Sequence, residues 1–124
     1  MNTSEAKKDI LLQSRALIAL IESAESKRKD RAVALINSHG VYWHGQEGGL
    51  IQGGVRASGS GSYLVKIMLR AKQSGIWVLQ DTECECFEGK SKACKHVLAL
   101  AGARLVTLRE NWKNLVKADE KGVA

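Results

Sequence analysis

The segment CECFEGKSKACKH, residues 84–96, contains all three cysteines of the chain and one of its three histidines. It places a Cys-x-Cys pair, Cys84 and Cys86, before a short polar loop, and a Cys-x-His pair, Cys94 and His96, after it. Thiolate sulfur and imidazole nitrogen are donors that Zn²⁺ prefers, and four of them fill a tetrahedral coordination sphere. The segment therefore predicts one zinc ion in a structural role, bound by these four side chains.

The spacing within each pair predicts how the donors converge. Side chains at i and i+2 of a strand project to the same side, which suits Cys84 and Cys86. Cys94 and His96 cannot share one face of a regular helix at this spacing, so Cys94 is expected at the irregular entry to a helix and His96 in its first turn. A thiolate there is stabilised by the positive end of the helix dipole. Lysines in and beside the loop are expected to offset the negative charge of a three-thiolate centre: Lys90, Lys92 and Lys95.

Other uses of cysteine fit this segment less well. Three cysteines among Glu and Lys residues do not resemble core positions. There is no Cys-x-x-Cys redox pair, and a disulfide would leave one thiol unpaired. A hydrolytic zinc keeps three protein ligands and one water position. Although Glu83, Glu85 and Glu88 lie nearby, the four-donor set leaves no such position, so we predict neither catalysis nor a small-molecule substrate.

The same residues resemble a known family, the SWIM zinc finger. The shared features are the order Cys-x-Cys, variable loop, Cys-x-His, the apolar continuation CKHVLALAG, and the two preceding strands SYLVKIML and IWVLQDTECEC, over residues 53–102. In that family the finger occurs in helicase-like ATPases, Mutator-type transposases, recombination factors and ubiquitin-linked kinases. The resemblance implies a ββα zinc module that binds DNA or protein, and it does not imply catalysis.

Length and composition indicate a small chain with a limited core. The chain has 124 residues, 44% of them hydrophobic, so we expect one domain or one domain with an appended helix. A metal that contributes on the order of 10 kcal/mol to folding matters in such a chain. The apolar run at residues 10–21 is too short and too polar for a membrane span, and no signal peptide is evident. We therefore expect a cytoplasmic protein without membrane contact.

Hydrophobic periodicity predicts an α+β fold in which helices flank a small antiparallel sheet. A first helix is expected at residues 4–22 with Ser4 as its cap, then a polar hinge at residues 22–31 leading into a second helix that ends at residues 37–40. A short strand or turn follows Gly40, a strand is expected at residues 50–57, and a hairpin delivers the first cysteine pair. A long helix then runs from His96 to about Lys117.

These elements divide the chain into three predicted parts. They are an N-terminal helical segment at residues 1–39, a zinc-binding α+β domain at residues 40–118, and a frayed tail at residues 119–124. The apolar surface of the first helix is broad. It is expected either to pack on the other helices or to associate with a partner protein or a second copy of the chain, and we favour association slightly.

Charge favours a polyanionic ligand, because the net charge is +6 and residues 32–80 contain four basic residues and one acidic residue. Tyr42 and Trp43 are expected to stack on bases, to anchor a partner, or to pack over the sheet. We predict weakly sequence-specific DNA binding, with an adaptor that docks proteins on its apolar helices as the alternative. The predicted nucleic-acid contacts are Lys66, Arg70, Lys72, Lys90, Lys92 and Lys95.

Overall fold

A computed structural model of the chain describes residues 2–57, 59–86 and 93–120. Within these ranges the chain forms three helices and a four-stranded antiparallel sheet, so the predicted α+β class is confirmed. The elements, in chain order, are α1 (Thr3–Glu22), α2 (Ser26–Asn37), β1 (Val41–Glu47), β2 (Leu50–Arg56), β3 (Ser62–Ala71), β4 (Trp77–Cys84) and α3 (Lys95–Glu120).

The sheet is a meander with the strand order β1-β2-β3-β4. Its inner face carries alternating apolar side chains, because side chains two residues apart on a strand point the same way. Ile51 pairs with Ile67, and Val65 pairs with Cys84. Ile51, Val65 and Ile67 are fully buried, so this face forms one side of the core. The pairing places the end of β4, an edge strand, opposite Val65 in the first half of β3.

Helix α3 packs against all four strands, and α1 and α2 pack on α3. The first two turns of α3 are buried almost completely, including Leu98 and Leu100. Gly102 allows α2 to approach, because a Cβ atom there would lie 2.6 Å from Cδ1 of Ile36. Near its other end α3 meets the start of α1, where Lys7 forms an ion pair with Asp119. The two N-terminal helices thus share one core with the sheet.

A network of hydrogen-bonded polar side chains connects α1 to both edge strands of the sheet. Asp9 accepts hydrogen bonds from Trp77 Nε1 and from Gln13 Nε2, each at 2.7 Å. Gln13 in turn accepts from Gln46 Nε2 at 2.8 Å, and Gln46 accepts from Arg104 Nε at 2.7 Å. These bonds join α1, β1, β4 and α3. The orientation of α1 is therefore set by directional contacts as well as by apolar burial.

Three predicted element boundaries are wrong. The cap of α1 is Asn2, whose side chain accepts a hydrogen bond from the Glu5 N–H at 2.8 Å, so Ser4 lies inside the helix. The predicted hinge at residues 22–31 is mostly helical, since α2 begins at Ser26 and its Lys and Arg residues are good helix formers. Helix α3 continues to Glu120 because no Gly or Pro interrupts it after Lys117. Residues 121–124 lie outside the described part of the chain.

Candidate metal centre

The end of β4 and the start of α3 supply the donor side chains. Cys84 is the last residue of β4, and the chain bends at Glu85 and Cys86 immediately after it. Cys94 precedes α3, and its carbonyl accepts the first helical hydrogen bond, from Leu98 N–H at 3.0 Å. His96 is the second residue of the helix. The irregular position predicted for Cys94 and the first-turn position predicted for His96 are therefore confirmed.

The four predicted ligands converge on one point. One sulfur or nitrogen atom from each of Cys84, Cys86, Cys94 and His96 lies within 4.8 Å of all the others. Cys94 Sγ and His96 Nδ1 are 3.8 Å apart. A tetrahedral zinc site with ordinary bond lengths requires sulfur atoms about 3.8 Å apart and sulfur–nitrogen distances of about 3.6 Å. The cluster could therefore hold one metal ion after a small contraction.

The cluster is enclosed by protein. Cys94 is fully buried, His96 is 3% exposed and Cys86 is also buried, whereas Cys84 is partly exposed. The ring of Tyr63 meets the imidazole of His96 edge-on, with ring centroids 5.0 Å apart and an interplanar angle of 77°. The Cys86 backbone N–H donates to Cys84 Sγ at 3.5 Å. Burial of this kind limits water access and holds the donor atoms in a fixed arrangement.

The imidazole of His96 lacks a strong hydrogen bond within the described residues. Its Nδ1 faces the Cys94 sulfur, and its Nε2 is buried without a hydrogen-bond partner among those residues. Leaving a buried polar group without a partner costs about 1–3 kcal/mol. Coordination of a cation through Nδ1 gives the ring a strong interaction at the cluster, which a sulfur atom at 3.8 Å alone does not provide. The donor set fits a metal held through Nδ1, and such a metal leaves Nε2 without a hydrogen-bond partner among the described residues.

The thiols of Cys84 and Cys94 shift each other's pKa in opposite directions. The Cys84 thiol donates a hydrogen bond to Cys94, and this lowers the pKa of Cys94 to about 4, although burial opposes the change. His96 and the Val97 backbone N–H, in the first turn of α3, also stabilise the Cys94 thiolate. The same hydrogen bond, and then burial, raises the pKa of Cys84. A cation that binds both sulfurs replaces the proton of this hydrogen bond, so metal binding releases protons from the cluster.

The predicted nucleic-acid contacts lie at several places along the described chain. Lys66 and Arg70 share the outer face of β3, with Arg70 four residues further from the cysteines, and Lys72 follows the end of the strand. Lys95 is the first residue of α3, next to the cluster. The remaining two lysines, Lys90 and Lys92, lie outside the described part of the chain.

Strand β4 places acidic residues beside the predicted basic surface. Glu83 is the cross-strand partner of Lys66, and Asp81 is the partner of Met68. The charge balance of residues 32–80 does not include these two acids, because that range ends one residue before Asp81. The pairing register, with its irregularity between Met68 and Leu69, decides which charges meet. The basic surplus of the hairpin is therefore smaller than the charges of residues 32–80 alone indicate.

Aromatic residues project from the sheet face opposite the helices. Trp43 pairs with Gly54, and Gly54 pairs with Leu64, so these residues share one face with Lys66. The indole lies close over Gly54, where a Cβ atom would sit 2.3 Å from Nε1 of Trp43. Trp43 nevertheless remains 50% exposed, and Tyr42 beside it is also exposed. The outer face thus presents an exposed aromatic ring on β1 and an amine two strands away on β3.

Comparison with models of known protein families, with curated proteins and with solved structures found no match to this chain. The SWIM family therefore stays a prediction from the cysteine and histidine pattern. Within the described residues, no helix combines the length and apolar character that crossing a membrane requires.

Proposed function

We propose that the protein is a SWIM-type zinc module that binds nucleic acid with weak sequence specificity and has no catalytic activity. The observation that carries the proposal is the convergence of three thiols and one imidazole within 4.8 Å, at the junction of a strand and a helix. Four protein donors complete a tetrahedral shell, so a metal here joins β4 to α3 and has no position for substrate.

Zinc is the metal that suits these donors. Three thiolates and one imidazole form a soft donor set, whereas Mg²⁺ and Ca²⁺ prefer carboxylate, carbonyl and water oxygens. The partial burial of the cluster and the low pKa of Cys94 favour a tightly held divalent cation with thiolate ligands. The bound ion would supply folding free energy and fix the approach of the sheet to α3.

The outer face of the sheet is the proposed nucleic-acid surface. An exposed Trp43 suits stacking on an unpaired base, and Lys66 on the same face suits a phosphate. Asp81 and Glu83 bring negative charge to the β4 side, so the proposed path of the strand follows β1, β2 and β3. Both interactions tolerate any base, which supports weak specificity and a preference for single strands.

Fluorescence anisotropy with labelled single- and double-stranded DNA tests this proposal. The zinc-loaded protein is expected to bind the single strand more tightly, and its affinity is expected to fall as salt rises, because phosphate contacts release counterions. Trp43→Ala is expected to weaken binding by about 1–3 kcal/mol, the usual value of one stacked base. Trp112→Ala, which removes an exposed indole from α3 in the opposite layer of the protein, serves as the matched control. Salt-insensitive binding, or none at low salt with zinc bound, contradicts the proposal.

A further inference from the structure

Helices α1 and α3 leave an apolar groove between them on the side of the molecule away from the outer sheet face. The groove encloses about 340 Å³ and is lined mainly by aliphatic and aromatic side chains. Leu11 and Ile18 of α1 are each 43% exposed there, and Trp112 of α3 forms the other wall. Leu108 is buried at the contact between the two helices.

The groove remains open because α2 covers only part of α3. Helix α2 meets α3 around Gly102, where Ile36 packs closely. Leu105 and Trp112 lie three and ten residues further along α3, beyond this contact, and α1 is their helical neighbour in the groove. The broad apolar surface predicted for the first helix is thus divided. Leu17 and Leu20 are buried in the core, and Leu11 and Ile18 face the groove.

Positive charge lies in the groove and at its edge. Arg109 lines the groove directly. Arg15 lies one helical turn from both Leu11 and Ile18, at the edge of α1 between this groove and a second depression beside β4. Lys8 continues the same edge of α1, one turn before Leu11. Among the described residues, the ion pairs are Lys7 with Asp119 and Lys113 with Glu110, so these three bordering cations have no carboxylate partner there. Glu22 is the unpaired acid near this edge of α1.

We infer that this groove binds an acidic amphipathic helix of a partner protein. Apolar side chains at i, i+3 or i+4 and i+7 of such a helix fill the space between Leu11, Ile18 and Trp112. Carboxylates that flank those side chains meet Arg15 and Arg109. A second copy of this chain is a poorer occupant, because groove-to-groove contact brings the same unpaired cations against each other. This inference is independent of nucleic-acid binding, which uses the opposite face of the sheet.

Selection from a displayed peptide library tests the chemistry of the occupant. The library presents helical peptides of about 18 residues with leucine fixed at i, i+3 and i+7 and flanking positions drawn equally from Glu, Lys and Gln. Selection on the zinc-loaded full chain is expected to enrich Glu at the flanks. Enrichment of Lys, or no enrichment beyond that obtained on the Ile18→Ser variant, overturns the inference.

Variants of the full chain locate the binding surface. Ile18→Ser in the groove is expected to weaken a selected acidic peptide at least fivefold, roughly the effect of losing one buried interface side chain. Val106→Ser, on an exposed part of α3 that does not line the groove, is the matched control and is expected to leave affinity unchanged. Arg109→Glu changes only a surface charge, and a loss of about fivefold is expected.

Sedimentation analysis separates a partner helix from self-association. The zinc-loaded chain is expected to sediment as a monomer at concentrations where the selected peptide binds. A dimer that Ile18→Ser dissociates and Val106→Ser does not would assign the groove to a second copy and overturn the inference. Equal binding of a selected peptide to wild type and to Arg109→Glu would overturn the inference that the partner helix is acidic.

Discussion

Replacing His96 with alanine distinguishes a metal centre from an ordinary buried cluster. The substitution removes one candidate ligand and the edge-on contact with Tyr63, and it also removes the buried Nε2 that has no partner within the described residues. These effects differ in sign and in size. The net change in the free energy of unfolding therefore depends on whether a metal is bound.

Without a metal, His96→Ala would have the moderate effect of an ordinary core truncation, because the cavity it leaves costs about 2–5 kcal/mol. Losing an aromatic pair costs about 0.5–1.5 kcal/mol. Removing an unsatisfied buried polar atom returns about 1–3 kcal/mol. A structural zinc site contributes on the order of 10 kcal/mol to folding, and a broken shell forfeits several kcal/mol of it. Because the unfolding free energy of a small domain is about 5–15 kcal/mol, the zinc account predicts that His96→Ala is largely unfolded or strongly destabilised.

Urea unfolding with added zinc and with a chelator measures this difference. His96→Ala in zinc is expected to be no more stable than the chelated wild type, because both lack the intact centre. Leu100→Ala serves as the control, since Leu100 is fully buried in α3 and is not a candidate ligand. It should lower stability by about 2–5 kcal/mol while the stabilisation by zinc is retained. A His96→Ala protein within about 1 kcal/mol of wild type in zinc refutes the reasoning.

Three further predictions concern the scaffold. Gly49→Ala should destabilise the sheet by about 1–3 kcal/mol in thermal unfolding, because its Cβ would lie 2.0 Å from the Leu69 carbonyl oxygen. Gly45→Ala is the control and should have a small effect, since no atom of the described residues lies near its Cβ. Equal losses of stability in the two variants would contradict this prediction. Asp9→Leu should lower the free energy of unfolding by about 1–3 kcal/mol, because it leaves the Trp77 and Gln13 donors without their acceptor. Asp30→Leu, at an exposed position of α2, is the control in the same assay. Equal stability of the two variants would contradict a stabilising role for the Asp9 hydrogen bonds. Burial, and then the charge of Arg104, lowers the pKa of His44 below its usual 6.5. As the pH falls, the imidazole of His44 is therefore protonated in the unfolded chain before it is protonated in the folded chain. The free energy of unfolding consequently decreases as the pH drops below about 6.5. Chelated His44→Gln should show a shallower loss between pH 7 and pH 5 than chelated wild type, and parallel curves would exclude this role.

The metal cluster could be predicted because its information is local. Two pairs of donors lie within thirteen residues, and the spacing inside each pair restricts the backbone to a strand end and a helix start. Burial of Cys94 and the contact between Tyr63 and His96 required the sheet register, which no short motif contains. The ligands themselves were therefore accessible to sequence reasoning, and their surroundings were not.

The contacts that involve distant residues could not be predicted. Asp9 and Gln13 occupy a helix face whose neighbours depend on how α1 lies across the sheet, and their partners are tens of residues away. The charge of the outer face likewise depends on the pairing of Lys66 with Glu83. The cap of α1 was missed for a simpler reason. Asn and Ser are comparable caps, and the cap that the structure uses, Asn2, lies two residues before the predicted Ser4.

Elemental analysis of the natively purified chain tests directly whether the four-donor cluster binds zinc. We expect about one zinc ion per chain in the wild type and in Lys66→Ala. Cys86→Ser and Cys94→Ser should bind little or no zinc, since each removes one donor of a four-donor shell. Chains that purify folded with no bound zinc, or that keep a full equivalent of zinc after either cysteine substitution, would contradict this account.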